Sequence, residues 1–153
     1  MTPSSENTAV LAESGPLPAG NLAVLDTSVY IEIFRTGRFT LDLLHSSWIV
    51  RCSSVVLHEL RRGARTMLER RFVNELTRRV RLITPLERHW LESAEILSVI
   101  GRKKGFGPNK LDTSAFDALI ALSARDIGAT LITCNRKNFE EIRKHKQFKA
   151  VYW

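Results

Sequence analysis

The stretch Leu22-Ala23-Val24-Leu25-Asp26-Thr27-Ser28-Val29-Tyr30-Ile31-Glu32-Ile33-Phe34 decides the fold. Its first four residues form a short apolar run with the length of a buried strand. Asp26-Thr27-Ser28, whose side chains suit a helix N-cap, stops that run. Tyr30, Ile31, Ile33 and Phe34 then predict a helix that ends at Gly37. The same order recurs downstream: Trp48-Ile49-Val50-Arg51-Cys52 reads as a strand, Ser53-Ser54 as a cap, and Val55-Val56-Leu57-His58-Glu59-Leu60 as a helix with Gly63 beyond it.

Further along, Thr66 to Val80 and Leu86 to Ile100 place apolar residues three and four apart among charges, the pattern of amphipathic helices. Leu82-Ile83 and Pro85 link them. Gly101-Arg102-Lys103-Lys104-Gly105-Phe106-Gly107-Pro108 reads as a loop, and Phe116 to Ile127 as a helix capped by Gly128. Ala129 to Thr133 is a third strand that stops at Cys134-Asn135. A helix from about Asn138 to Lys144 and a closing strand within Phe148 to Trp153 complete the chain. Strands alternating with helices predict an α/β fold in three layers around a mainly parallel sheet, with a ligand site at the carboxyl ends of its strands.

At 153 residues with 44% hydrophobic content, the chain suits one domain with one core. Residues 1–20 are rich in Ser, Thr, Pro, Gly and Ala and read as a flexible leader, which leaves 21–153 as the folded unit. The leader has no Lys or Arg and no long apolar stretch, unlike a secretory signal. Apolar runs such as Ala118 to Leu122 fall far short of the ~20 residues that span a bilayer. A cytoplasmic protein without membrane attachment is the expectation, with Cys52 and Cys134 as small buried apolar residues rather than a disulfide or zinc site.

Charge points to the partner. The chain carries 23 Lys and Arg against 16 Asp and Glu, a net +7; because residues 1–20 hold Glu6 and Glu13 and no base, residues 21–153 carry +9. Eight arginines lie between Arg61 and Arg81, and six bases between Arg136 and Lys149. Such a surface suits a polyanion, although solvated helix faces would give the same composition.

Against this basic background, oxygen donors recur where the topology brings strand ends together: Asp26 after the first strand, Glu59 on the helix after the second, Asp117 on the helix before the third, and Asn135 and Asn138 after it. Hard divalent ions want such ligands, and Mg²⁺ is often held by only one or two carboxylates. Singly, Asp26 could cap a helix, Glu59 could lie exposed, and Asp117 could face the positive end of its helix. Asp117 nevertheless shares a stripe with Ala121 and Ala124, which places a carboxylate on a face that packs closely against the sheet. His45, His58, His89 and His145 form no HExxH spacing, and there is no GxGxxG, P-loop or GxSxG.

Four segments, Leu25-Asp26-Thr27-Ser28, Ser54 to Gly63, Phe116 to Ala121 and Gly128 to Phe139, resemble in order and spacing the PIN-domain nucleases, and most of all the VapC-type toxins of type II toxin–antitoxin systems. The resemblance runs from about Leu22 to Trp153. It implies an endoribonuclease that hydrolyses RNA phosphodiester bonds with Mg²⁺ or Mn²⁺, is restrained by a cognate antitoxin, and forms a homodimer. It assigns Asp26, Glu59 and Asp117 to the metal and, with Asn135, to catalysis; Thr27, Ser28, Thr133 and Asn138 would support them. Arg61, Arg62, Arg65, Arg102, Lys103, Lys104, Arg136 and Lys137 would meet the RNA backbone. The family often has Asp where this chain has Asn135 or Asn138. An amide brings no charge and cannot act as a base, so a catalytically inactive PIN-like module that only binds nucleic acid is the alternative. A DNA-directed or regulatory complex is a third.

Overall fold

The computed structural model describes residues 21–153, and the leader expected over 1–20 lies outside them. Five strands, β1 (Leu22–Leu25), β2 (Ile49–Ser53), β3 (Arg81–Ile83), β4 (Thr130–Thr133) and β5 (Ala150–Tyr152), form one sheet in the order β3-β2-β1-β4-β5. Every neighbouring pair is parallel. The helices are α1 (Thr27–Thr36), α2 (Thr40–His45), α3 (Ser54–Gly63), α4 (Met67–Arg79), α5 (Glu87–Lys104), α6 (Pro108–Asp126) and α7 (Arg136–Arg143). The expected three-layer α/β/α architecture is present, and its sheet is parallel throughout.

Strand order locates the site. The chain builds outward from β1 through β2 to β3, then returns to lay β4 on the other side of β1. Beyond the carboxyl ends of β1 and β4 the order reverses, and ligands of open α/β sheets bind in that crevice. The strands beneath, β1 and β4, are buried along nearly their whole length, as in sheets covered on both faces. Val24, Leu131 and Ile132 are fully buried, and each such side chain contributes about 1.5–3 kcal/mol.

Local chemistry sets the element ends. Gly37, in the left-handed region at φ 72°, ends α1. Ser53 caps α3 through the Val55 amide, and Thr66 with Glu69 forms a capping box on α4. Three sequence expectations need correction. Gly101 lies inside α5, not in a loop: a Cβ there would stand 2.9 Å from Leu111 Cδ2, so its missing side chain serves the close approach of α5 to α6. The connection shrinks to Gly105-Phe106-Gly107, and α6 starts at Pro108, eight residues before Phe116. Leu82-Ile83 is not a mere link but part of strand β3, and α2 follows Phe39, a buried residue at φ 68° that stacks on Trp153. No helix among the described residues is long and apolar enough to cross a membrane. Cys52 and Cys134 are both free thiols, the first buried and the second half-buried.

Candidate active site

Asp26 sits at the junction of β1 and α1, where its backbone amide donates to Ile132 O at 2.9 Å and extends the ladder with β4. Its side chain makes no capping bond to α1. Instead Oδ2 accepts from Ser28 Oγ at 2.7 Å and from Thr133 Oγ1 at 2.9 Å, and the residue is 4% exposed. Each hydroxyl in turn accepts a backbone amide, Cys134 N on Ser28 at 3.1 Å and Asn135 N on Thr133 at 2.9 Å. A hydroxyl has one proton to give, and these amides fix where it goes: both protons point at the same carboxylate oxygen.

Asp117 lies within α6, 7% exposed, on the buried stripe that carries Ala121 and Ala124. Its Oδ2 accepts from Asn138 Nδ2 at 3.1 Å, and among the described residues no Lys or Arg forms an ion pair with it. Burial above all, and then the negative charge of Asp26, push its carboxyl up to about 7; Glu59 adds to this, while the Asn138 bond and Lys110 oppose it. Asp26 and Asp117, both buried, thus lie within reach of each other's charge in a poorly solvated space.

Glu59, half-buried on α3, accepts from Thr27 Oγ1 at 2.9 Å. Burial raises its carboxyl, Thr27 opposes the rise, Asp26 adds to it, and Arg62 counters it. Among the described residues no three His, Cys, Asp or Glu side chains gather closely enough to hold one ion together. Glu59 therefore flanks the Asp26 and Asp117 pair and does not close a three-carboxylate cage with it.

The two amides make separate contacts. Asn135 Oδ1 caps α7 by accepting from Asn138 N at 3.5 Å, a helix-end role. Asn138 turns its own side chain to Asp117, and its Oδ1 accepts from Lys110 Nζ at 3.3 Å. Lys110 has no place in the site expected from sequence. The signal was Pro108 after Gly107, a helix start that puts Lys110 seven residues, two turns, before Asp117 on one face.

The expected backbone-binding cations are exposed but spread out. Arg61 and Arg62 lie in the last turn of α3 and Arg65 in the connection to α4, with the Arg62 guanidinium 5.6 Å from the Phe116 ring beside Asp117. Arg102, Lys103 and Lys104 form the last turn of α5, and Lys104 lies 3.7 Å from Glu141. Arg136 packs over Tyr152 at 4.8 Å, and Lys137 follows it on the first turn of α7.

Known proteins share this fold. A solved structure of VapBC-1 from nontypeable Haemophilus influenzae contains a chain similar to this one with a TM-score of 0.63 and 23% identity, over 86% of this chain and 98% of that one. A chain of VapBC2 from Rickettsia felis, solved bound to a DNA fragment from its promoter, gives 0.62 and 22% over the same shares. VapBC-5 from Mycobacterium tuberculosis, of the VapBC family of toxin–antitoxin systems, gives 0.59 and 18% over 87% and 99%. No curated protein matches the sequence. The family model for the PIN domain aligns with residues 23–145, from β1 to just past α7, and the chain belongs to the PIN-domain family.

Proposed function

We propose that this protein is a divalent-metal-dependent endoribonuclease and the toxin of a toxin–antitoxin pair. The observation that carries the reading is the burial of Asp26 and Asp117 together at the switch point of the sheet. Two carboxylates in a poorly solvated crevice repel each other unless a cation lies between them. Their chemistry fits Mg²⁺ or Mn²⁺: hard oxygen donors, two carboxylates, and space left for water and substrate. Asp26 and Asp117 would hold the ion, and Asn138 would fix the orientation of Asp117.

When bound there, such an ion supplies positive charge to the phosphoryl group under attack and makes water a stronger nucleophile. The chain does the rest. Ser28 and Thr133 bind Asp26 Oδ2, which leaves Oδ1 clear of both hydroxyls. Glu59, held by Thr27 and with its carboxyl raised, is poised to orient a water or take its proton. The arginines at the end of α3, the last turn of α5 and the first turn of α7 supply charge for the RNA backbone.

An antitoxin partner is supported by the toxin–antitoxin complexes that share the fold. A cavity of about 200 Å³ lined by Ile31, Phe34, Leu60 and Phe72, with Glu59 among its walls, offers it an apolar seat. A homodimer and a cytoplasmic location belong to the same reading. The alternative, a module that binds nucleic acid without cutting it, draws on the amides at 135 and 138. Incubating RNA with the purified chain and Mn²⁺ separates the two. Cleavage that stops with EDTA and with Asp26→Ala supports the enzyme, and intact RNA at every divalent-ion concentration refutes it.

A further inference from the structure

Beside the carboxylates lies a second cavity, of about 190 Å³, between α5, α6 and α7. This is below the roughly 300–1,000 Å³ of sites that take drug-sized ligands, a size for a single base. Its apolar side is formed by the half-buried Phe106 ring and Ile142, and Lys104, Lys110 and Lys137 stand exposed around it. Glu141, which also lines the cavity, pairs with Lys144 at 2.9 Å and with Lys104 at 3.7 Å, so its charge is met by those two lysines. Lys110 stands 5.7 Å from the Phe106 ring centre and donates to Asn138, whose amide donates to Asp117. One wall of the cavity is thus a single side chain away from the candidate metal site.

We propose that this cavity is a nucleotide subsite that takes the RNA residue next to the scissile phosphate and gives the enzyme its base preference. An aromatic face with lysines around it is the combination that holds single-stranded nucleic acid, with the base on the ring and the phosphate on the cations. A neutral ligand would have no use for the Lys110 and Lys137 ammonium groups, which form no ion pair among the described residues, and a bare anion would have none for the Phe106 and Ile142 side. Asn138 takes part in both places. It orients Asp117 through its amide nitrogen and, through Lys110, ties the subsite to the cutting site. The inference rests on the ribonuclease reading and extends it to specificity.

The test uses the full chain. Binding of a short oligoribonucleotide containing 2-aminopurine is followed by fluorescence in EDTA, and cut sites in a random-sequence RNA pool are mapped with Mn²⁺. Phe106→Ala is expected to weaken binding about tenfold or more, the loss of one stacked base, and to flatten the base preference at one position next to the cut. Phe106→Tyr is expected to retain both. Lys137→Gln, an exposed change that leaves the core intact, is expected to weaken binding and raise KM more than it lowers kcat. If wild type cuts RNA and Phe106→Ala and Lys137→Gln bind and cut at the same sites with the same constants, the subsite is refuted while the ribonuclease reading stands; a cavity that serves an acidic peptide of a partner would give that result. If wild type neither binds nor cuts RNA, both are refuted.

Discussion

Thr133 Oγ1 donates to Asp26 Oδ2 at 2.9 Å, joining two residues 107 positions apart in the chain. The bond exists because β4 lies next to β1, and it sets the direction in which the carboxylate points. Thr133→Val keeps the shape and removes the donor, so Mn²⁺ affinity is expected to fall about 10- to 100-fold, as for other residues that orient metal ligands. Thr133→Ser is expected to retain affinity. Calorimetric titration of both variants with Mn²⁺ checks this. Stability should fall in Thr133→Val by about 1–3 kcal/mol, because the Asn135 amide loses its acceptor.

Stability of the metal-free protein should depend on pH through Asp117. Its carboxyl titrates at about 7 in the fold against 3.8 ordinarily. Between those values the folded chain keeps a proton that the unfolded chain has released, so stability falls as pH rises. At about 1.36 kcal/mol per pH unit, the loss is on the order of a few kcal/mol. Urea unfolding in EDTA between about pH 4 and 8 is expected to show this slope, Asp117→Asn to flatten it, and Mn²⁺ to offset it at the upper end by binding the ionised form.

Asn135 and Asn138 are expected to separate stability from activity. Asn135→Ala removes the α7 cap and should cost about 1 kcal/mol. Because Asn135 makes no bond to Asp26 or Asp117 among the described residues, RNA cleavage is expected close to wild type, and a loss of kcat would instead bear out the catalytic part that the resemblance gives it. Asn138→Ala leaves Asp117 without its hydrogen bond and should lower kcat about tenfold or more. Thermal melts and single-turnover cleavage of the two variants side by side give the comparison.

Backbone binding should be salt-dependent. Replacing Arg61, Arg62 and Arg65 together by Gln is expected to reduce the slope of log K against log salt by about 2 if each meets one phosphate of single-stranded RNA. Mn²⁺ binding should not weaken, since none of the three forms an ion pair with Asp26 or Asp117 and Arg62 acts on Glu59. An unaltered slope would place the RNA track elsewhere on the surface.

The parts of the site legible in sequence are those fixed by element ends. Asp26 closes an apolar run and Asp117 shares a stripe with alanines, so strand length and helix period are enough to bring both to one crevice. Lys110 and the division of labour between Asn135 and Asn138 were hidden for a tertiary reason. Gly101 signals a loop by local preference, whereas the approach of Leu111 makes it a helix-packing residue, and the misplaced boundary left Lys110 without a face. Strand β3 has three residues, too few for a periodic signal, and only pairing with β2 makes it a strand. Glu59 was legible as a candidate, but not its bond to Thr27, which depends on how α1 and α3 pack.

The central claim is that Asp26 and Asp117 together hold a divalent ion. Titration of the metal-free chain with Mn²⁺, followed by electron paramagnetic resonance of the free ion, measures this without any RNA. One ion per chain is predicted for wild type, with none held at the same concentrations by Asp26→Asn or Asp117→Asn variants that melt as cooperatively as wild type. Equal Mn²⁺ uptake by wild type and by the double variant would contradict the account.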